Sequence, residues 1–328
     1  MNINDRIYIA GHKGLVGSAI LKKLKACGFS NLITRTHKEL DLTMQADVSA
    51  FIEAEKPEYI LLAAAKVGGI LANNNFPADF IYSNLVIQNN VIHAAWQSGV
   101  KRLFFLGSSC IYPRKCVQPM KEEYLLTGAL EPTNEPYAIA KIAGVKMCQS
   151  YNRQYGTQFL PVMPTNLYGP NDNFDLETSH VLPALLRKFH MAKFSGQKSL
   201  KENNENFVTI WGTGRPRREF LHVDDLADAC FFLMNLADNV FASLLSNYKT
   251  PLINIGFGKD ISILELARLI KDIIKFDGKI VFDDSKPDGT PQKLLDISRM
   301  KHLGWNPKIS IRNGIQNTYK WCLENSIF

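Results

Sequence analysis

Ile7-Tyr8-Ile9-Ala10-Gly11-His12-Lys13-Gly14-Leu15-Val16-Gly17 is the stretch on which the fold turns. Four apolar residues read as a buried strand. Gly11 breaks the run, and from there Leu15, Val16, Ala19, Ile20 and Leu24 recur at helical spacing. A strand, a turn with glycines three apart and a helix, in that order, form the arrangement that cradles a dinucleotide pyrophosphate. The first glycine permits the tight turn and the second lets backbone N–H groups approach the phosphates. The third lets helix and strand pack closely, with the helix amino end facing the negative charge. His12, Lys13, Leu15 and Val16 complete this loop.

Outward from this unit the alternation continues. Leu32-Ile33-Thr34-Arg35 reads as a second strand, a helix follows over about 43–55, and Tyr59-Ile60-Leu61-Leu62-Ala63-Ala64 reads as a third strand. A helix over about 84–98 precedes the strand Arg102-Leu103-Phe104-Phe105-Leu106, and a helix over about 137–155 precedes a strand at 159–163. Such alternation predicts an α/β protein with a doubly wound parallel (Rossmann) sheet and helices on both faces. After Gly169-Pro170 the pattern loosens, with a helix near 180–192 and a strand at 207–211, as expected of a smaller α+β substrate domain. Phe220-Leu221-His222-Val223, the apolar helix pattern of 226–236 and a strand at 252–255 read as one more sheet unit returning to the first domain. The expected division is 1–168 for the dinucleotide domain, joined by about 219–256, and 169–218 with 257–328 for the substrate domain. The ligand crevice should lie between them, at the carboxyl ends of the strands.

A chain of 328 residues, 46% apolar and 21% charged, can build a sizeable core, which excludes disordered and collagen-like classes. A net charge of +7 favours anionic partners. With no nucleic-acid motif and no dense Lys/Arg run, a phosphate-rich small substrate is expected rather than nucleic acid. Cys27, Cys110, Cys116, Cys148, Cys230 and Cys322 form no CxxC pair and no metal-ligand rhythm, and the start runs directly into the first strand. Reduced thiols, no metal site, no secretory leader and a cytoplasmic location are therefore expected. The most apolar later stretch, 227–245, is interrupted by Asp228 and Asp238, so no membrane span is expected. The polar segment 198–206 reads as a surface loop.

Enzymes that use NAD usually carry an acid at the end of the second strand, where it accepts hydrogen bonds from the ribose. This chain has Arg35-Thr36-His37-Lys38 there. A carboxylate would repel a 2′-phosphate, whereas Arg35, Lys38 and Lys13 can pair with it, so NADP(H) is expected over NAD(H).

Tyr137-Ala138-Ile139-Ala140-Lys141 places a phenol and an ammonium one helical turn apart, on one face. A nearby lysine and an oxidised nicotinamide favour the phenolate, which makes Tyr137 a usable general acid–base for a ketone and alcohol couple. Leu106-Gly107-Ser108-Ser109-Cys110 follows the fourth strand into the same crevice. If the extended geometry persists, Ser108 and Cys110 share one side and Ser109 takes the other. Ser108 can then polarise a carbonyl beside Tyr137. Cys110 either reaches a neighbouring carbon or is a small apolar packing residue.

Further segments carry a resemblance. They include Ala63-Ala64-Ala65-Lys66-Val67-Gly68-Gly69-Ile70, Gly107-Ser108-Ser109-Cys110-Ile111-Tyr112-Pro113, Glu131-Pro132-Thr133-Asn134-Glu135-Pro136-Tyr137 and Met163-Pro164-Thr165-Asn166-Leu167-Tyr168-Gly169-Pro170. Others are Ser179-His180-Val181, Arg218-Glu219-Phe220-Leu221-His222 and Lys286-Pro287-Asp288-Gly289-Thr290-Pro291. Over nearly its whole length the chain resembles the extended short-chain dehydrogenase/reductase family and, within it, the GDP-L-fucose synthase subfamily. The glycine loop and Tyr-x-x-x-Lys mark only the larger family; Ser-Ser-Cys and Ser-His-Val mark the subfamily.

The resemblance implies a GDP-sugar substrate, NADPH and a two-stage reaction on GDP-4-keto-6-deoxy-D-mannose. In the first stage the hydrogens on C3 and C5, acidic because they flank the C4 ketone, are exchanged by groups matching Cys110 and His180. In the second, hydride reaches C4 while Tyr137 supplies the proton, assisted by Lys141 and Ser108. By the same comparison Pro164, Thr165, Asn166 and Leu167 line the nicotinamide and Asp41 and Leu42 the adenine, while Leu106, Gly107, Ser108, Ser109, Lys141 and His180 also belong to the cofactor site. Lys188, Trp211, Arg218, Asp288 and Lys293 match positions that hold the GDP-sugar. Lys13 and His37 stand where members often carry arginine. The family also suggests a homodimer, with the helices around 86–96 and 142–155 pairing across a two-fold axis.

The alternative is another extended-family nucleotide-sugar epimerase or dehydratase. A dehydratase needs an acidic pair where this chain reads Ser108-Ser109-Cys110, and a 4-epimerase does not call for Cys110 with His180. A non-catalytic NADP-binding scaffold would commonly have lost Tyr137, Lys141 or Ser108, and all three are present.

Overall fold

Unbroken apolar runs suit strands buried on both faces, and the computed structural model, which describes residues 1–194, 206–286 and 288–328, places them so. The chain begins β1 (Ile7–Ala10), α1 (Leu15–Ala26), β2 (Leu32–Ile33), α2 (Gln45–Glu55), β3 (Tyr59–Leu62), α3 (Ile70–Asn75), α4 (Pro77–Gln97) and β4 (Arg102–Leu106). It continues α5 (Glu135–Tyr155), β5 (Phe159–Pro164), β6 (Asn166–Tyr168), α6 (Val181–Phe194), β7 (Phe207–Trp211), β8 (Arg217–His222), α7 (Val223–Met234) and α8 (Asp238–Ser246). The last elements are β9 (Ile253–Ile255), β10 (Asp260–Ser262), α9 (Ile263–Ile274), β11 (Lys279–Asp283), β12 (Gln292–Lys293), α10 (Ser298–His302) and α11 (Ile311–Glu324).

Six strands form one parallel sheet in the order β2-β1-β3-β4-β5-β9. Successive side chains along each strand feed opposite faces. Tyr8, Ile60, Leu62, Leu103 and Phe105 pack under α2, α4 and α5, while Ile7, Ile9, Leu61, Phe104 and Leu106 pack under α1, α7 and α8. The strand order reverses between β1 and β3, and the crevice for a ligand opens at their carboxyl ends. A third apolar cluster, built from Leu182, Leu186, Phe189, Ile210, Phe220, Leu266, Ile270 and Ile315, fills the space between α6, α9, α11 and the short strands.

The structure corrects the reading at one strand and bears it out at another. β8 does not enter the parallel sheet: it pairs with β6 and β12 in parallel and with β10 antiparallel, forming a second, smaller sheet. Only β9 joins the six-stranded sheet, against β5. The apolar run of 220–223 is common to both outcomes, so periodicity could not choose between them. α4 also starts seven residues before the expected 84, because Pro77 is preset for a first helical turn. The segment 198–205 of the expected surface loop and Pro287 lie outside the described residues. No single described helix is long and apolar enough to cross a membrane.

Candidate active site

The glycine turn is shaped by close contacts. Gly11 has φ +85°, and a Cβ there would lie 2.9 Å from the Ala64 nitrogen on β3's exit. A Cβ on Gly17 would fall 2.2 Å from the Gly11 carbonyl oxygen, so only glycine lets α1 dock on the turn. Gly14 differs: its nearest such neighbour is 3.6 Å away, leaving its outer side open. It is the N-cap of α1, with no side-chain cap and no acid in the first turn, so the helix's first N–H groups face outward for an anion. His12 Nδ1 is buried and without a partner among the described residues, Lys13 is exposed, and Leu15 and Val16 pack their partly buried side chains against the core. This donor-lined, acid-free cradle fits a pyrophosphate.

At the end of β2, Arg35 points one edge at Glu55 and the Thr34 carbonyl and lies over the Phe51 ring, so it is not the free clamp the sequence implied. A 2′-phosphate would share Arg35 with Glu55 and gain the exposed Lys13 and Lys38. Asp41 accepts from the Thr43 N–H and hydroxyl at 2.9 and 2.8 Å, which holds its carboxyl below the usual range. Leu42 is buried, its carbonyl accepting from Asn90. On the nicotinamide side, Pro164 ends β5, the buried Thr165 donates its hydroxyl to the Glu219 carbonyl, Asn166 donates to the same oxygen at 2.8 Å, and Leu167 is partly buried.

The chain does not stay extended after β4. Ser109–Ile111 is one 3-10 turn, with the Ser108 hydroxyl oxygen accepting the Cys110 N–H at 3.3 Å and Ser109 buried. The turn replaces the alternation expected from a strand, yet Ser108 and Cys110 both still meet the crevice. Ser108 hydrogen-bonds Tyr137. Burial pushes the Tyr137 phenol well above its ordinary value, the Cys110 sulfur adds to this, and the Ser108 bond opposes it; part of the ring still faces the crevice. Lys141 is buried and donates to the Leu106 carbonyl at 2.8 Å, its ammonium lying 5.8 Å from the Tyr137 ring centre. Burial pushes this lysine down to about 7.

Cys110 Sγ accepts from Asn134 Nδ2 at 3.2 Å and lies 4.0 Å from Lys293 Nζ. The charge of Lys293 also acts on His180, an exposed residue whose imidazole is held below its usual value by protein crowding and then by that charge. The loop before His180 is seated on the β3 exit, with the Gly69 N–H donating to the Thr178 carbonyl at 2.9 Å. Thus Tyr137, Ser108, Cys110 and Lys293 adjoin one another, and the charge of Lys293 reaches His180.

Arg218, largely buried, donates to the Thr290 carbonyl at 2.5 Å and is held below its ordinary value by burial, with Cys110, Glu131 and Asp288 opposing. Lys188 donates to the Thr209 carbonyl and lies 5.5 Å from the centre of the half-exposed Trp211 ring, beside Lys286. Asp288 accepts from the Thr213 N–H and hydroxyl. Trp211 and Lys188 thus form a pair of their own on β7 and α6, while Arg218 and Lys293, on β8 and β12, adjoin the thiol. Among the described residues no group of three or more His, Cys, Asp or Glu side chains could hold a metal.

Two residues were missed. Asn134 precedes a helix start and reads as a cap. Glu219 is fully buried and accepts from the Gly258 and Leu295 N–H groups at 2.6 and 2.9 Å, tying β8 to the segment that carries Lys293. The only sequence signal for it was a charge within an apolar run.

A family model described as the NAD dependent epimerase/dehydratase family matches residues 7–245. GDP-L-fucose synthase 1 of Arabidopsis thaliana is 57% identical over 320 residues, 98% of this chain and 94% of that protein. GDP-L-fucose synthase of Escherichia coli K12 is 54% identical over 98% of this chain and 97% of its own. Among solved structures, the GDP-mannoheptose C4 reductase MlghC of Campylobacter jejuni with NADP bound is 47% identical, with a TM-score of 0.88 over 98% of this chain and 99% of that one. With the glycine cradle, the Tyr137–Lys141 pair and the Cys110–His180 set already in place, these identities over nearly the full length mean that the chain belongs to the GDP-L-fucose synthase family.

Proposed function

We propose that this protein converts GDP-4-keto-6-deoxy-D-mannose to GDP-L-fucose, as a 3,5-epimerase and NADPH-dependent 4-reductase. The observation that carries the reading is the cluster around Tyr137: the phenol bonded to Ser108, Ser108 bonded to the Cys110 N–H, and Lys293 standing 4.0 Å from the Cys110 sulfur with its charge acting on His180 as well. A ketone held beside Ser108 acidifies the hydrogens on its two flanking carbons, and a thiol and an imidazole near neutrality can exchange them without a metal. Burial keeps the Tyr137 phenol protonated at neutral pH, the state in which it can hand a proton to the C4 oxygen. Lys141 stabilises the phenolate left behind, and the fixed Leu106 contact aims it. NADPH, when bound, supplies the hydride. Lys188 and Arg218 offer cations to the GDP pyrophosphate, Trp211 offers an indole face, and Asp288 an acceptor.

The domain division is part of the same proposal: 1–168 with about 219–256 for NADP and 169–218 with 257–328 for the sugar nucleotide, supported by the third apolar cluster, which draws mostly on the second unit although Tyr168 and Phe220 also enter it. So are a cytoplasmic location, which suits six cysteines with no disulfide among them, and a homodimer through α4 and α5. The choice of the hexose follows the relatives named GDP-L-fucose synthase, such as those of Arabidopsis thaliana at 57% and Escherichia coli at 54% identity over 98% of this chain. Incubating the protein with NADPH and GDP-4-keto-6-deoxy-D-mannose should oxidise one NADPH per GDP-L-fucose formed. Unchanged sugar and no NADPH consumption would refute the proposal.

A further inference from the structure

Asn134 stands at the N-cap of α5, the helix that carries Tyr137 and Lys141. Asparagine is among the best capping residues, yet this side chain caps nothing: its φ of −135° and ψ of 16° are not those of an ordinary cap, and no side-chain bond reaches the first turn. Its Oδ1 is buried and without a partner among the described residues. The amide's one side-chain hydrogen bond runs from Nδ2 to Cys110 Sγ, at 3.2 Å. The contrast among the cysteines is informative. Cys148 and Cys230 are packed in apolar surroundings, and among the described residues the other side-chain amide near a cysteine sulfur, Gln118 with Cys116, is 4.0 Å away. Lys293 also stands at 4.0 Å from Cys110, too far to fix the direction of the sulfur. With the Cys110 N–H held by Ser108, the Asn134 bond is the second tether, and it acts on the sulfur itself.

We propose that Asn134 is a positioning residue for the epimerising stage: it fixes the Cys110 sulfur on the sugar side of the crevice through an N–H···S bond instead of capping its own helix. This rests on the reading of Cys110 as a proton-exchanging group. A bond that holds the sulfur in one χ1 well matters to proton transfer, where direction and reach decide the rate, more than to binding of the nucleotide.

The test uses the full-length protein with NADP⁺ and GDP-4-keto-6-deoxy-D-mannose in D₂O, reading deuterium at C3 and C5 by mass spectrometry and NMR. Asn134→Ser is the informative variant, since serine caps a helix as well as asparagine but is too short to reach the sulfur. Exchange should fall roughly threefold to tenfold, the scale of one lost hydrogen bond, with NADPH affinity, sugar KM and thermal midpoint unchanged. Asn134→Gln keeps the amide and should exchange faster than the serine variant. Exchange in Asn134→Ser within twofold of wild type, while Cys110→Ala abolishes it, overturns the role of Asn134 alone. Equal losses in the Ser and Gln variants, or a fall in thermal midpoint that accounts for the loss, also overturn it. Undiminished exchange in Cys110→Ala removes the underlying reading of the cysteine, and this proposal with it.

Discussion

Tyr137 and Lys141 are one helical turn apart, yet burial acts on them in opposite senses: it favours the neutral form of each, raising the phenol and pushing the ammonium down to about 7. Tyr137→Phe removes the proton donor but little volume, so steady-state reduction should fall about 10²–10⁴-fold while NADPH binding, followed by fluorescence titration, persists. Lys141 makes stability depend on pH. An unfolded lysine keeps its proton up to about 10.5, whereas the folded one releases it near 7, so between these values the unfolded chain binds more protons and stability rises with pH. Denaturant unfolding of the cofactor-free protein from pH 7 to 8.5 should give wild type a positive slope relative to Lys141→Met, approaching about 1.4 kcal/mol per pH unit. Parallel curves would show that the ammonium remains charged in the fold. Tyr-x-x-x-Lys was legible from spacing alone, since four residues of helix bring two side chains to one face. The Asn134 contact to Cys110 was not, because nothing in a linear pattern tells a capping asparagine from one turned toward a sulfur 24 residues away.

The β1–α1 turn separates two uses of glycine. At Gly17 the constraint is internal: an added methyl would meet the Gly11 carbonyl at 2.2 Å, so Gly17→Ala should push α1 off the turn and cost about 1–3 kcal/mol of stability, read by denaturant titration. At Gly14 the nearest contact for a methyl, the Gly11 carbonyl oxygen, is 3.6 Å away, and the side left open is the one proposed for the phosphates. Gly14→Ala should therefore cost at most about 1 kcal/mol of fold stability. It should nevertheless weaken NADPH binding about tenfold or more, equivalent to about 1.4 kcal/mol. Equal effects of the two variants on folding would mean that the turn has no open side. The strand, turn and helix were readable because each has a local signature. The 3-10 turn at Ser109–Ile111 had none: the Ser108 side chain draws the Cys110 N–H out of strand geometry, a local bond that competes with extension.

Over the whole molecule, α4 and α5 lie side by side on one face of the sheet, and their outer ends carry Trp96 stacked on Tyr155 at 4.3 Å, with Tyr151 and His93 beside them. Tyr155 is 44% exposed, a large aromatic at a surface where a two-fold axis would pair like with like. Trp96→Glu should convert the proposed dimer to a monomer in light scattering after size exclusion, leaving the fold intact by circular dichroism. A wild type that elutes as a monomer removes the proposal. The parallel sheet, the glycine cradle, the basic end of β2 and the Tyr137–Lys141 pair were determined by the sequence itself, because each depends on neighbours within a few residues or on a repeating hydrophobic period. Tertiary structure alone decided that β8 joins a second sheet, that Glu219 gathers backbone N–H groups from two distant segments, and that Lys293 is carried to within 4.0 Å of Cys110, 183 positions away in the chain. Such contacts follow from how separate buried faces fill one another, and no local propensity encodes which distant side chain will meet which.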